Sequence, residues 1–105
     1  MTNITVEEVK QRLDAGEQLN LVDVREPYEN ADFNIGGILL PIGKIQNHQI
    51  EEIEDLKDDE VIFYCRSGNR SGTSALILDQ MGFTNTKNLV GGMLRWRERM
   101  QDTGC

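Results

Sequence analysis

Short apolar runs alternate with amphipathic stretches along the chain, and this alternation predicts strands and helices in turn. Apolar residues three and four positions apart predict a first helix over residues 5–15, which opens with a capping box. Residues 19–24 are apolar except for Asn20 and Asp23, which is typical of a buried strand. Residues 61–64, Val-Ile-Phe-Tyr, form a β-favouring run typical of a central parallel strand buried on both faces.

The rest of the chain continues the alternation, with glycine or proline near the ends of the predicted elements. The further predicted elements are strands at 36–41 and 86–90 and helices at 45–56, 71–81 and 93–100. Acidic residues cover the outer face of the helix at 45–56, where we expect them to be solvated. The order of elements predicts an α/β fold with a mainly parallel central sheet of about four to five strands and helices on both faces.

Length and charge narrow the class of protein. We predict that residues 1–105 form a single domain, because 105 residues suffice for one compact core. A net charge of -7 opposes nucleic-acid binding, which needs a basic surface. No apolar stretch approaches the roughly 20 residues of a membrane span, and Glu7 and Glu8 oppose a signal peptide. We therefore expect a cytoplasmic protein with no membrane contact, and a monomer by default.

Cysteine and histidine are scarce. The chain has two cysteines, Cys65 and Cys105, and one histidine, His48, which are too few for a disulfide framework or a four-thiol zinc site. We therefore expect no metal and no cofactor. His48 is predicted to be a solvated surface side chain. Cys105 is the last residue, and we expect it to take no part in redox chemistry.

The strand at 61–64 leads directly into a segment whose backbone and side chains all favour the binding of an anion. In parallel sheets, ligands bind outside the carboxyl ends of the strands. A loop here can curl its backbone N–H groups around a small anion, and Gly68 and Asn69 are best able to adopt positive φ angles. The dipole of the next helix and the guanidiniums of Arg66 and Arg70 act on the same point. The segment reads Cys65-Arg66-Ser67-Gly68-Asn69-Arg70-Ser71.

These surroundings favour the thiolate of Cys65 and lower the pKa of this thiol below the free value of about 8.5. Cys65 would then be a nucleophile that needs no histidine. The alternative is an inert buried cysteine beside solvated arginines, because a cysteine and an arginine at this spacing often occur by chance. The position of the motif between an apolar strand and an apolar helix favours the nucleophile. We predict Cys65 as the catalytic residue, with substrate contacts from residues 66–70.

Three segments carry a family resemblance: residues 21–27 (LVDVREP), residues 63–71 (FYCRSGNRS) and residues 89–92 (LVGG) with Trp96. In this order they are similar to the strand-and-turn signature, the active-site loop and the closing segment of the single-domain rhodanese-like sulfurtransferases. Residues 32–37 (DFNIGG) stand where that family usually has Gly-His-Ile-Pro-Gly-Ala. Without the histidine and proline, no role in the pocket is predicted for them.

The resemblance implies a two-step transfer of sulfane sulfur. Cys65 would attack the outer sulfur of a small anionic donor such as thiosulfate, release sulfite and hold the sulfur as a persulfide. A thiol, a sulfur-carrier protein or, in the test tube, cyanide would then accept the sulfur. The amides of residues 66–70 would stabilise the thiolate and the persulfide, while Arg66 and Arg70 would steer the donor and the departing sulfite.

Two alternatives stay open. Phosphatases and arsenate reductases related to this family use seven residues from the cysteine to the arginine of the loop, whereas Cys65 to Arg70 counts six, which favours sulfur over phosphate. The second alternative is a sulfur carrier or partner-docking module, and a carrier would load readily but turn over slowly with small acceptors. The net negative charge adds the hypothesis of a protein partner with a basic face.

Three residues outside the loop are given structural roles. Asp23 and Arg25, at the end of a predicted strand, are expected to form a buried ion pair that fixes the turn. A position at the border of the pocket is the alternative for these two residues. Trp96, on the last predicted helix, is expected to pack in the core.

Overall fold

The computed structural model describes the backbone of residues 1–103 and the side chains of residues 1–100. The strands are β1 (Thr2–Ile4), β2 (Leu21–Asp23), β3 (Ile38–Leu39), β4 (Val61–Tyr64) and β5 (Thr86–Leu89). The helices are α1 (Val6–Asp14), α2 (Pro27–Asp32), α3 (Ile42–Gln46), α4 (Asn69–Gln80) and α5 (Gly92–Thr103), with a 3-10 helix at Glu51–Leu56. The strands form one parallel sheet in the order β1-β5-β4-β2-β3, which confirms the predicted α/β class.

β4 lies at the centre of the sheet, between β5 and β2, and all its residues are buried. Successive side chains of a strand point to opposite faces. Val61 and Phe63 therefore join the apolar cluster that α4 covers, whereas Ile62 and Tyr64 join the cluster under α1 and α5. Trp96 belongs to the second cluster with an exposed fraction of 8%, so the prediction that it packs in the core is confirmed.

Two elements, β1 and α2, are missing from the sequence prediction because neither has a recognisable apolar face. β1 has three residues, of which only Ile4 is buried. α2 buries none of its residues, and its Pro27 predicted only a turn. Pro27 is instead the first residue of the helix. A backbone N–H at this position has no hydrogen-bond partner within the helix, so proline is tolerated there. α2 brings Tyr28 and Glu29 beside the loop that follows β4.

The single helix predicted over residues 45–56 is wrong. The chain forms α3, bends, and continues as the 3-10 helix. Ile45 and Ile50 are both buried, but an α-helix would place their side chains about 140° apart, so one helix could not direct both to the core. The bend between them contains His48, which has a φ of 58°. His48 is exposed, as predicted.

Asp23 and Arg25 form a buried ion pair at the carboxyl end of β2. The Arg25 guanidinium donates to both Asp23 oxygens at 2.9 Å, and the Arg25 backbone N–H donates to Asp23 Oδ1 at 3.0 Å. The Asn30 amide donates to Asp23 Oδ2 at 2.9 Å, and Arg25 also donates to the Phe33 carbonyl. The pair therefore ties β2 to the middle and to the carboxyl end of α2.

Within the described part of the chain, no helix is long and apolar enough to cross a membrane. The prediction for Cys105 concerns a residue outside the described range.

Candidate active site

Cys65 follows β4 directly and is buried, with an exposed fraction of 1%. The chain turns sharply at Gly68, whose φ of 102° is in the left-handed region that favours glycine. Asn69, predicted to share this conformation, is instead the first residue of α4. Since Gly68 makes the turn alone, α4 begins at Asn69, before the predicted start at residue 71. The sulfur thus lies between the central strand and the amino end of a helix.

The Cys65 sulfur is surrounded by hydrogen-bond donors. The backbone N–H groups of Gly68 and Ser71 donate to Sγ at 3.1 and 3.4 Å, and the Ser71 hydroxyl lies 3.3 Å from Sγ. Burial alone would raise the pKa of the Cys65 thiol, but the Ser71 hydroxyl and the N–H groups of Ser71, Gly68 and Ser67 outweigh it and lower the pKa. The sequence predicted a lowered pKa for Cys65. It did not predict the contribution of Ser71, which was treated only as the start of the helix.

Ser71 is held in place by β5. Its hydroxyl oxygen lies 2.6 Å from Asn88 Oδ1, and both side chains are largely buried. The hydroxyl has one proton, which can bond to Asn88 or to Cys65, and the lowered pKa of Cys65 corresponds to the bond to the thiolate. Asn88 lies 17 positions further along the chain than Ser71, so no local pattern predicts the contact. β5 thereby fixes the hydroxyl beside the sulfur.

We expect Ser71→Ala to raise the pKa of Cys65 and to slow its alkylation at pH 7 by about tenfold, because one hydrogen bond to the thiolate is lost. The rate of reaction with iodoacetamide, followed against pH, measures both changes. Ser67→Ala is the matched control, since the Ser67 side chain is exposed and only its amide acts on the sulfur. Identical pH profiles for the two variants would contradict the assignment of Ser71.

α5 closes the other side of the loop. The N–H of Met93 donates to the Cys65 carbonyl and that of Leu94 to the Arg66 carbonyl, each at 2.9 Å. Gly92 packs against this backbone so closely that a Cβ there would lie 2.3 Å from the Cys65 carbonyl oxygen. Gly92, the last residue of the segment 89–92, therefore allows α5 to approach the loop.

The two guanidiniums of the loop differ in their surroundings. Arg70 donates to both carboxylate oxygens of Glu29, at 2.8 and 3.0 Å. The bond from Arg70 lowers the pKa of Glu29 to about 2, so this carboxylate is ionised at neutral pH. Arg66 is exposed and has no carboxylate partner among the described residues. The sequence predicted that both guanidiniums would face the donor, whereas Glu29 already engages Arg70.

A cavity of about 370 Å³ opens beside the loop, between α2 and α5. Arg66 lines it, together with the exposed side chains of Tyr28 and Leu94. Phe33 also lines it and lies under the guanidinium of Arg97, with 4.5 Å between the guanidinium carbon and the ring centre. Phe33 belongs to the stretch 32–37, for which the sequence predicted no pocket role. The part of the chain with described side chains contains no group of three His, Cys, Asp or Glu residues that could hold a metal ion.

Comparisons with known proteins show the family of this chain. The sequence model of the family described as Rhodanese-like domain matches residues 5–99. A sulfurtransferase of Allochromatium vinosum is 39% identical over 97 residues, which cover 91% of this chain and 88% of that protein. YrkF of Bacillus subtilis is 36% identical over 94 residues, which cover 89% of this chain but 49% of YrkF. The chain thus spans about half the length of YrkF.

The fold is also found in solved structures. A rhodanese-like domain protein from Staphylococcus aureus matches with a TM-score of 0.79 at 28% sequence identity, and the match covers 91% of each chain. The family match at 5–99 includes the loop 65–71 and the α2 and β5 residues that contact it. This chain therefore belongs to the family of rhodanese-like domains.

Proposed function

We propose that this protein is a sulfurtransferase, which takes a sulfane sulfur from thiosulfate or a related anionic donor and passes it to a thiophilic acceptor. The observation that carries the proposal is the Cys65 sulfur, placed at the carboxyl end of β4 with two amide donors and the Ser71 hydroxyl around it. Membership in the rhodanese-like family and the similarity to a sulfurtransferase of Allochromatium vinosum support sulfur transfer.

In the first half-reaction the Cys65 thiolate attacks the outer sulfur of thiosulfate. A bond forms between this sulfur and Sγ while the sulfur–sulfur bond of the donor breaks, and its electron pair leaves with sulfite. Cys65 then holds a persulfide with one negative charge, and no proton is transferred. The N–H groups of Ser67 and Gly68 are positioned to stabilise this charge. The exposed guanidinium of Arg66 is proposed to bind the oxygens of the donor and of the departing sulfite.

Asn69 and Arg70 are the further proposed substrate contacts. They are the first two residues of α4, whose amino end carries a partial positive charge close to the sulfur. The charges of Arg70 and the Cys65 thiolate attract each other, which favours the ionised nucleophile.

In the second half-reaction the acceptor, a thiol or cyanide, attacks the outer sulfur of the persulfide. The bond to Sγ breaks and its electron pair returns to Cys65 as a thiolate. The lowered pKa of Cys65 assists this step, because a more acidic thiol is a better leaving group. We propose that the acceptor approaches through the cavity between α2 and α5, where Tyr28 and Leu94 are exposed.

Hydrolysis of phosphate esters has less support. That reaction needs an acid that protonates the leaving group. Glu29 is the carboxylate bonded to the loop, and with a pKa of about 2 it carries no proton at neutral pH.

Steady-state kinetics test the proposed cycle. Because sulfite leaves before the acceptor reacts, rates measured with thiosulfate and cyanide varied together should give parallel lines in a double-reciprocal plot. Intersecting lines would contradict the cycle. A sulfur carrier would instead show a burst of one sulfite per chain followed by slow turnover with cyanide.

A further inference from the structure

The ion pair between Glu29 and Arg70 joins α2 to the active-site loop and is not used in the reaction described above. The Glu29 side chain has an exposed fraction of 15%, and that of Arg70 has 34%. The Glu29 carboxylate is held from a second direction, since the backbone N–H of Glu26 donates to its Oε1 at 3.0 Å. Glu29 is thus fixed in position by the start of α2 as well as by Arg70.

This pair changes the charge that a donor meets. The Cys65 thiolate carries one negative charge, and the loop supplies one positive charge from Arg66 and one from Arg70. Without Glu29 these charges sum to plus one, and with the ionised Glu29 they sum to zero. Arg70 keeps three of its five N–H donors for hydrogen bonds, but the adjacent carboxylate offsets its charge. Arg66 is the guanidinium of the loop whose charge is not offset.

We propose that Glu29 selects the charge of the sulfur donor, so that the protein uses monoanionic thiosulfonates in preference to the dianion thiosulfate. This inference rests on the proposed sulfur transfer. Glu29 acts through Arg70 and is therefore a positioning residue, not a catalytic one. Its low pKa keeps it ionised at any physiological pH, so the selection does not depend on pH there.

Two donors of similar shape isolate the effect of charge. Methanethiosulfonate has a methyl group in place of one oxygen of thiosulfate and carries one negative charge instead of two. Cys65 takes the outer sulfur of either donor by the same exchange of sulfur–sulfur bonds, with methanesulfinate or sulfite as the leaving group. The ratio of kcat/KM for methanethiosulfonate to kcat/KM for thiosulfate then measures the preference for the lower charge.

The test compares this ratio in the wild type, in Glu29→Gln and in Glu29→Asp. Glu29→Gln keeps an oxygen that accepts from Arg70 but removes the charge. It should lower the ratio about tenfold, mainly through a smaller KM for thiosulfate, because one unit of charge near the donor is removed. Glu29→Asp keeps the charge and should stay within about twofold of the wild-type ratio. Glu51→Gln removes one charge from an exposed position on the 3-10 helix and should also leave the ratio unchanged.

Arg70→Gln should change the ratio in the opposite direction. This variant can be measured even if Glu29→Gln fails to fold. It leaves the Glu29 charge without its partner and should raise the ratio about tenfold. If the ion pair had only a structural role, either substitution would slow sulfur transfer from both donors equally. An unchanged ratio in Glu29→Gln or in Arg70→Gln, with persulfide still formed on Cys65, would overturn the inference alone. Failure of both donors to load the wild type would overturn the proposed sulfur transfer and the inference with it.

Discussion

Cys65→Ser is expected to reduce the formation of thiocyanate from thiosulfate and cyanide by about 10⁴-fold or more, because the hydroxyl of serine is not ionised near neutral pH. Serine has nearly the shape of cysteine and can accept the same hydrogen bonds from Gly68 and Ser71. The fold should therefore persist, and thermal unfolding with the far-UV spectrum checks this. Turnover above the uncatalysed rate in a folded Cys65→Ser protein would show that another group carries the sulfur.

Asp23→Asn is expected to lower the free energy of unfolding by about 3 kcal/mol, because it leaves the Arg25 guanidinium buried without a counter-charge. The Asp23 side chain is fully buried, and that of Arg25 has an exposed fraction of 6%. A loss of this size is a large part of the stability of a small domain. Denaturant unfolding measures it.

The Asp23 variant also separates a structural role from a catalytic one. Sulfur transfer per folded molecule should equal that of the wild type, because Asp23 makes its contacts with Arg25 and Asn30, not with the loop around Cys65. Asp58→Asn, at an exposed position, is the matched control and should leave stability unchanged. A folded Asp23→Asn protein with unchanged stability and a large loss of kcat would reverse the assignment.

The parts of the fold that were predictable are those with a local pattern. β4 is an apolar run of four residues, and the loop after it carries a distinctive order of cysteine, arginines and glycine. α2 was not predicted because it buries no residue, although Pro27 at its first position and the capping box of Glu26 and Glu29 are signals of a helix start.

The parts of the site that were not predicted depend on contacts between distant positions. Glu29 and Arg70 are 41 positions apart, so their ion pair exists only because α2 packs beside the loop. Phe33 reaches the cavity for the same reason. The sequence predicts Cys65 as the nucleophile, but the charges around it follow from tertiary structure.

Intact-protein mass spectrometry after incubation with thiosulfate detects the proposed persulfide on Cys65, the intermediate through which the sulfur would pass to the acceptor. We expect the wild type to gain the mass of one sulfur atom and to lose it again when cyanide is added. Cys65→Ser should show no gain. A wild-type protein that stays at its original mass with excess thiosulfate, or a gain that persists in Cys65→Ser, would contradict transfer of sulfur from thiosulfate through Cys65.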